Sequence, residues 1–290
     1  MFIPTVSASK VAALIGLNPY QNVHETMYDL LCKNKLIRAR IAELEEQAHR
    51  KPFQEVLQSV LEDSSIRGVI SAGVRACQKT LDIQGVLSEV ERTAKTAVDL
   101  RYSHFAPDVQ SAIVGEIRGK VQKQRGLNNE NNILDQYEEK HDVKVVERNT
   151  KNMRKDFGKF VMIGRTDGWV ESEKRIVDSK ERTRMWPQVP LYDEIQLRCY
   201  MAMTGAPEAE LIERFPNGTS RVTKYLNDAD KWGTIQIAIE SAVDTLNRAL
   251  ADDEELKRII FANTVEIQQD GSSSDAQRTA RGSVQAKLNL

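Results

Sequence analysis

Residues 164–183 read GRTDGWVESEKRIVDSKERT, and three side chains in that stretch could do chemistry together: Asp167, Asp178 and Lys180. The Val, Ile and Trp content on either side of ESEK reads as a strand pair. If Val170 pairs with Arg175 across that loop, Asp167 stands directly opposite Asp178. Like charges directly opposite in a sheet repel. Side chains two apart share a strand face, so Lys180 joins the acids, with Ile163, Trp169 and Ile176 beside them. Two facing carboxylates in a partly apolar setting need a shared proton, a cation or a basic partner. The plain alternative is a surface hairpin with solvated charges.

A third carboxylate comes from LNNENNILDQYEEKH, which reads as a helix. Leu127, Ile133, Leu134 and Tyr137 form its apolar stripe, and Glu130 falls inside that stripe. An unpaired buried glutamate is rare, so the three carboxylates are expected to converge on one face of the sheet. Such an oxygen set suits a hard cation, Mg²⁺ or Mn²⁺, which keeps waters and binds phosphates. The cluster contains neither imidazole nor thiolate, which argues against zinc. A lysine beside such an ion fits phosphodiester hydrolysis, where it helps deprotonate water or holds the phosphate. A later helix, PLYDEIQLRCYMAMTG, carries Gln196 and Tyr200 one turn apart, on a face shared with Tyr192, Ile195, Cys199 and Met203. Either polar group could hydrogen-bond the carboxylates, water or a DNA backbone.

The elements that must position these groups follow from periodicity. Residues 7–15, SASKVAALI, read as a short helix with Ser7 as N-cap and Gly16 and Pro19 as stop signals. From about residue 24 to 125 the apolar spacing is helical. Beyond that come VKVVERN, KFVMIGRTDGWV and RIVDSKERT as three strands, then the helix ending at Gly205. EAELIERF and SRVTKYL read as two more strands around PNGT, and a last helix runs over about 228–260. The fold class is α/β: a mixed sheet of four to five strands flanked by helices. Residues 1–35 form an N-terminal helical motif, 36–120 a helical insertion and 121–265 the core. Residues 266–290 read as a disordered tail.

The 290 residues, 40% of them hydrophobic, allow a sizeable core, and a formal net charge of −1 means no global basic field. Any polyanion site must be a local patch. Candidates are the runs Arg118, Lys120, Lys123, Arg125; Arg148, Lys151, Arg154, Lys155, Lys159; and Arg182, Arg184. Such runs are either solvated faces or a phosphate-tracking groove. Cys32, Cys77 and Cys199 form no pair or ligand cluster, which points to a reducing, intracellular setting. No secretory signal or apolar span is expected.

The ordered set Glu130, Asp167 and DSK (178–180), followed by Gln196 and Tyr200, resembles the PD-(D/E)XK nuclease superfamily. SASKVAALIGLNPY and GLNNENNILDQYEEKHDVKV are similar to motifs of its lambda exonuclease-type, YqaJ-like viral recombinase branch. The resemblance covers roughly residues 5–30 and 120–260, and leaves out about 36–120. It implies a restriction-endonuclease-like core and a Mg²⁺-dependent deoxyribonuclease, with Mn²⁺ as a substitute. Glu130, Asp167, Asp178 and the Ser179 carbonyl would ligate the metal, Lys180 would be catalytic and Gln196 would support the site. Ser9 occupies the position of a serine that helps hold a 5′-phosphate, and Arg165 stands where that pocket continues. Arg182, Arg184, Tyr200, Lys123 and Arg125 would contact DNA. The implied role is resection of duplex ends in recombination or repair. A single-strand annealing protein is the implied partner, and a homo-oligomer a possible assembly. An endonuclease on the same site and a catalytically silent DNA-binding scaffold are the rival readings.

Overall fold

The computed structural model describes residues 1–48 and 50–266. The chain begins with strand β1 (Thr5–Ser7), a 3-10 turn (Ala8–Lys10) and helices α1 (Val11–Leu14), α2 (Val23–Cys32) and α3 (Lys35–Ala48). Strand β2 (Arg50–Pro52) leads into a helical block: α4 (Phe53–Glu62), α5 (Ser64–Cys77), α6 (Ile83–Arg101) and α7 (Pro107–His141). Then come β3 (Val145–Val146), β4 (Asn152–Asp156), β5 (Val161–Arg165), β6 (Gly168–Val170) and β7 (Arg175–Glu181). Helix α8 (Leu191–Thr204) precedes β8 (Glu208–Arg214), β9 (Ser220–Leu226), α9 (Ala229–Ala249), α10 (Asp253–Ile260) and β10 (Thr264–Glu266). Of the expected 266–290 tail, only Glu266 belongs to the described residues.

The main sheet has the order β3-β6-β7-β8-β9; β7 and β8 run parallel and the other pairs antiparallel. This is the expected mixed α/β arrangement. Helix α8 is the crossover between β7 and β8, as parallel neighbours require. The start of α8 follows Pro190, and Gly205 ends it at φ +73°, a conformation glycine adopts at no steric cost. Strand β7 is buried on both faces. On one face, Ile133, Leu134 and Tyr137 of α7 pack with Val177 and Ile212. On the other, Ile195 and Cys199 of α8 belong to the core containing Ile176 and Leu211. The helical block has its own core, including Leu57, Ile66, Leu87, Ile113 and Val121. Gly73 lets α5 approach closely there, because a Cβ would lie 2.5 Å from Val90 Cγ2.

Four expectations change. The segment 159–170 is two strands, not one, because the chain bends at Thr166 and Asp167 and passes from the sheet β1-β5-β4 into the main sheet. Strand β4 pairs with β5 and was not anticipated. The Glu130 helix starts at Pro107, 20 residues before Leu127, and runs 35 residues without a break. The last helix is two, with Asp252 capping the second through the Glu254 N–H. Among the described residues no helix is long and apolar enough to cross a membrane.

Candidate active site

The β6–β7 ladder pairs Val170 with Arg175, Trp169 with Ile176 and Gly168 with Val177. The ladder ends there, and the same register continued by one residue brings Asp167 to Asp178. The loop works because Lys174 closes it at φ 51° after a turn of 3-10 helix. Asp178 is 1% exposed and Asp167 7%. Asp167 Oδ2 accepts from the Ser179 N–H at 2.7 Å and the Ser179 hydroxyl at 3.1 Å. Lys180 Nζ lies 2.6 Å from Asp178 Oδ2. From α8, the Gln196 amide nitrogen sits 3.5 Å from Asp178 Oδ1 and donates to the Tyr200 hydroxyl at 2.7 Å. The buried Tyr200 ring packs where Gly164 has no side chain; a Cβ there would be 2.8 Å from the ring.

Electrostatics mark both aspartates. Burial first, then Asp167 beside it, pushes the Asp178 carboxyl up to about 7 although Lys180 opposes the shift. Burial also pushes Asp167 up, to about 6, with Lys180 opposing and Glu130 reinforcing. Burial alone would lower the lysine, but Asp178, Asp167 and Asp193 outweigh it, so Lys180 is held well above its ordinary value. One ammonium therefore does not neutralise the group.

Glu130 is half-buried, and its Oε2 accepts from Asn149 Nδ2 at 2.8 Å. It reaches Asp167 but not by the expected route. Helix α7 packs on the Val177 face of β7, whereas Asp178, the next residue and so on the opposite face, looks toward α8. Asp167, at the bend, is where the two sides meet. Leu127 is also not in the stripe, being 49% exposed; Arg125 takes the buried position instead. Consistent with approach from two faces, no three His, Cys, Asp or Glu side chains among the described residues stand close enough to form a ready-made metal cage. The donor chemistry nevertheless fits a hard cation: all donors are oxygen, and two carboxylates are raised by burial and mutual repulsion.

The expected DNA contacts divide. Arg165 is exposed and pairs with Asn152 across β4–β5, not with Lys180, because it belongs to the other sheet. Lys123 and Arg184 are exposed, and the Arg184 guanidinium lies 3.9 Å over the Trp186 ring. Ser9 is exposed, with its hydroxyl 3.1 Å from that of Ser7. Ser7 makes no side-chain cap. Two arginines depart from an open phosphate path. Arg182 is buried between Asp193 at 2.7 Å and Glu213 at 2.8 Å. Arg125 is buried against Glu181 at 2.6 Å. A buried carboxylate left without its cation is strongly destabilising, which is why these two side chains point inward.

Sequence reasoning missed Asn149 and Asp193. Asn149 sits at φ 54°, donates its backbone N–H to the Asp167 carbonyl at 3.1 Å, and steers Glu130 with its side chain. The signal was available, since a turn asparagine tolerates the left-handed conformation. Asp193, in the first turn of α8, joins Arg182 and raises Asp178 through space; nothing local announces it.

No protein-family profile and no curated protein matches the chain. Solved structures similar to it include a phage-related exonuclease from Haemophilus somnus 129PT (15% identity, 46% of this chain and 73% of that chain, TM-score 0.37). Another is an alkaline exonuclease from Laribacter hongkongensis (16% identity, 57% and 90% covered, TM-score 0.39). The latter is also similar in its complex with dAMP (15% identity, 66% and 90% covered, TM-score 0.37). At this distance the likeness decides nothing about the site, whose chemistry rests on its own residues.

Proposed function

We propose that the chain is a Mg²⁺-dependent deoxyribonuclease that hydrolyses phosphodiester bonds, acting as an exonuclease on duplex ends. The observation that carries the reading is the buried pair Asp167 and Asp178, both pushed up in pKa, with Lys180 on one side and Glu130 arriving from the other. A structural ion pair would balance its charges; this group lacks positive charge at a point reached by oxygen donors from two faces. Asp167, Asp178, Glu130 and the Ser179 carbonyl would hold the ion. When bound, Mg²⁺ supplies charge stabilisation at the phosphate and a more acidic water.

The chain's own residues do the rest. Ser179 fixes Asp167 with two hydrogen bonds, and Asn149 fixes Glu130. Gln196, braced by Tyr200, faces Asp178. Lys180, 2.6 Å from Asp178, is placed to hold a phosphate oxygen or to help deprotonate the water. Of the basic residues the resemblance places on DNA, Lys123, Arg165 and Arg184 are exposed and available to track the strand.

The test is digestion of linear and closed circular duplex in Mg²⁺ by the wild type, Asp178→Ala and Lys180→Ala. The expected result is loss of linear DNA only, abolished in both variants. Equal cutting of circles would replace the exonuclease by an endonuclease. An inert wild type, or variants that cut as well, would refute the site.

A further inference from the structure

Between the α1–α2 connection and the β7–α8 connection lies a cavity of about 440 Å³ with mostly apolar walls. Its walls include Leu17, Pro19 and Tyr20 from the first connection, Trp186 and Pro190 from the second, and Tyr192 at the start of α8. None of its lining residues is acidic. Tyr20 is 65% exposed and Leu17 45%, and the Tyr20 ring meets that of Tyr192 edge-on with centroids 6.0 Å apart. Large apolar side chains gathered in the open around a hollow mark a contact surface.

The cavity lies on the α8 side of the sheet, the side to which Asp178 points. Tyr192 and Gln196 are four residues apart in α8, so their Cβ atoms stand about 5–6 Å from each other on one helix face. Gln196 in turn comes within 3.5 Å of Asp178 Oδ1. Burial and the Asp193 charge push the Tyr192 hydroxyl up while Arg182 and Lys180 oppose the shift, so Lys180 is within electrostatic reach of the same ring. The cavity therefore opens within one nucleotide's span of the carboxylates.

Both connections are held in place. Gly16 turns the chain at φ +76°, the Leu17 N–H donates to the Ala12 carbonyl at 2.7 Å, and the Tyr20 N–H donates to Asn18 Oδ1 at 3.0 Å. On the other side, Arg221 Nη1 donates to the carbonyls of Trp186 at 2.9 Å and Pro187 at 3.1 Å. A preformed hollow loses less ordering entropy when it is filled. Arg184 adds the charge: it is exposed, its guanidinium lies 3.9 Å over the Trp186 ring, and among the described residues it makes no ion pair. Aromatic rings, a guanidinium plane and unneutralised positive charge, with no acid in the walls, match a nucleobase and its phosphate.

We propose that this aromatic hollow stacks one unpaired base of the DNA strand whose phosphate lies at Lys180, with Tyr20 as the exposed ring and Arg184 beside the neighbouring phosphate. The inference rests on the nuclease reading for its substrate class.

The experiment is equilibrium binding of a short labelled oligothymidylate, and of the same backbone made abasic, to the full chain in EDTA, so that no turnover is needed. The wild type is expected to bind the oligothymidylate about tenfold tighter than the abasic strand. Tyr20→Ala is expected to bind the two alike, and Tyr20→Phe to keep the preference, because the ring and not the hydroxyl stacks. The proposal is overturned if the wild type binds both strands equally, if folded Tyr20→Ala keeps the preference, or if Tyr20→Phe loses it as fully as Tyr20→Ala. A wild type without base preference that dimerises, and that Tyr20→Ala makes monomeric, would assign the surface to a second copy of this chain instead. A wild type that prefers bases through Tyr20 yet never cuts DNA in Mg²⁺ would sustain the hollow and sink the nuclease reading. A wild type that cuts DNA while Tyr20→Ala keeps the base preference would do the opposite.

Discussion

The two ends of β7 and β8 carry buried charge in different ways. At the start, Arg175 is surrounded by Glu173 at 2.7 Å, Glu210 at 3.0 Å and Glu208 at 3.4 Å, and its Nη2 donates to the Tyr137 hydroxyl at 2.8 Å. Tyr137 in turn donates to Glu210 at 2.6 Å, and Lys224 pairs with Glu208. The three carboxylates there share two cations, Arg175 and Lys224. At the far end, Asp167 is held by the N–H and hydroxyl of Ser179 with Glu130 beside it, Lys180 pairs with Asp178, and both aspartates are pushed up. The first cluster is a network in which each carboxylate touches a cation, with the Arg175 Nε left buried and unpartnered. The second is short of positive charge, at the carboxyl ends of parallel strands, where α/β proteins place their ligands.

The comparison breaks most sharply under substitution. Asp178→Asn is expected to lower Mg²⁺-dependent DNA hydrolysis by roughly 10²–10³-fold or more, while its melting temperature stays level or rises because a repulsion is gone. Arg175→Met is expected to do the reverse. Urea unfolding should show a loss of about 3–5 kcal/mol as buried glutamates lose their partner, with activity per folded molecule retained. If Arg175→Met is silent in stability, the contrast between the two ends fails. A smaller effect is expected from Asn149→Ala, which frees Glu130: about 10–100-fold in apparent Mg²⁺ affinity or activity, read from a Mg²⁺ titration of the rate.

The same contrast has a pH signature. Asp178 binds its proton up to about pH 7 in the folded chain, against an ordinary value of 3.8. The unfolded state thus releases this proton first, so the contribution is fully present below pH 3.8 and is lost as pH rises through about 7. Melting curves of the EDTA-treated protein should show that decline between the two values, and Asp178→Asn should flatten it. A wild-type profile identical to that of the variant would contradict the charge deficit.

Much of this centre was legible in residues alone. The register of the hairpin follows from its even loop and alternation, so Asp167 and Asp178 could be paired before any coordinates. The stop of α8 was readable from Pro190 and Gly205. What escaped was decided at long range. The bend at Thr166 looks like continuous strand, because VMIGRTDGWV keeps strand composition through it; only pairing with β4 and β1 reveals the change of sheet. Strand β4, NMRKD, is mostly exposed and lacks apolar alternation. The inward turn of Arg125 and Arg182 depends on Glu181, Asp193 and Glu213, acids that no local pattern ties to them. Glu130 stood out as an odd member of an apolar stripe and lies half-buried near Asp167, but its face was misjudged because the sheet's end, not its surface, is the meeting point.

Whether this end of the sheet takes a divalent cation decides the nuclease assignment. Calorimetric titration of Mg²⁺ into the metal-free protein at pH 8, without DNA, is the direct measurement. Wild type and Arg175→Met are predicted to bind, and Asp178→Asn to bind at least about tenfold more weakly. Equal binding by Asp178→Asn, or no binding by a folded wild type, would contradict it.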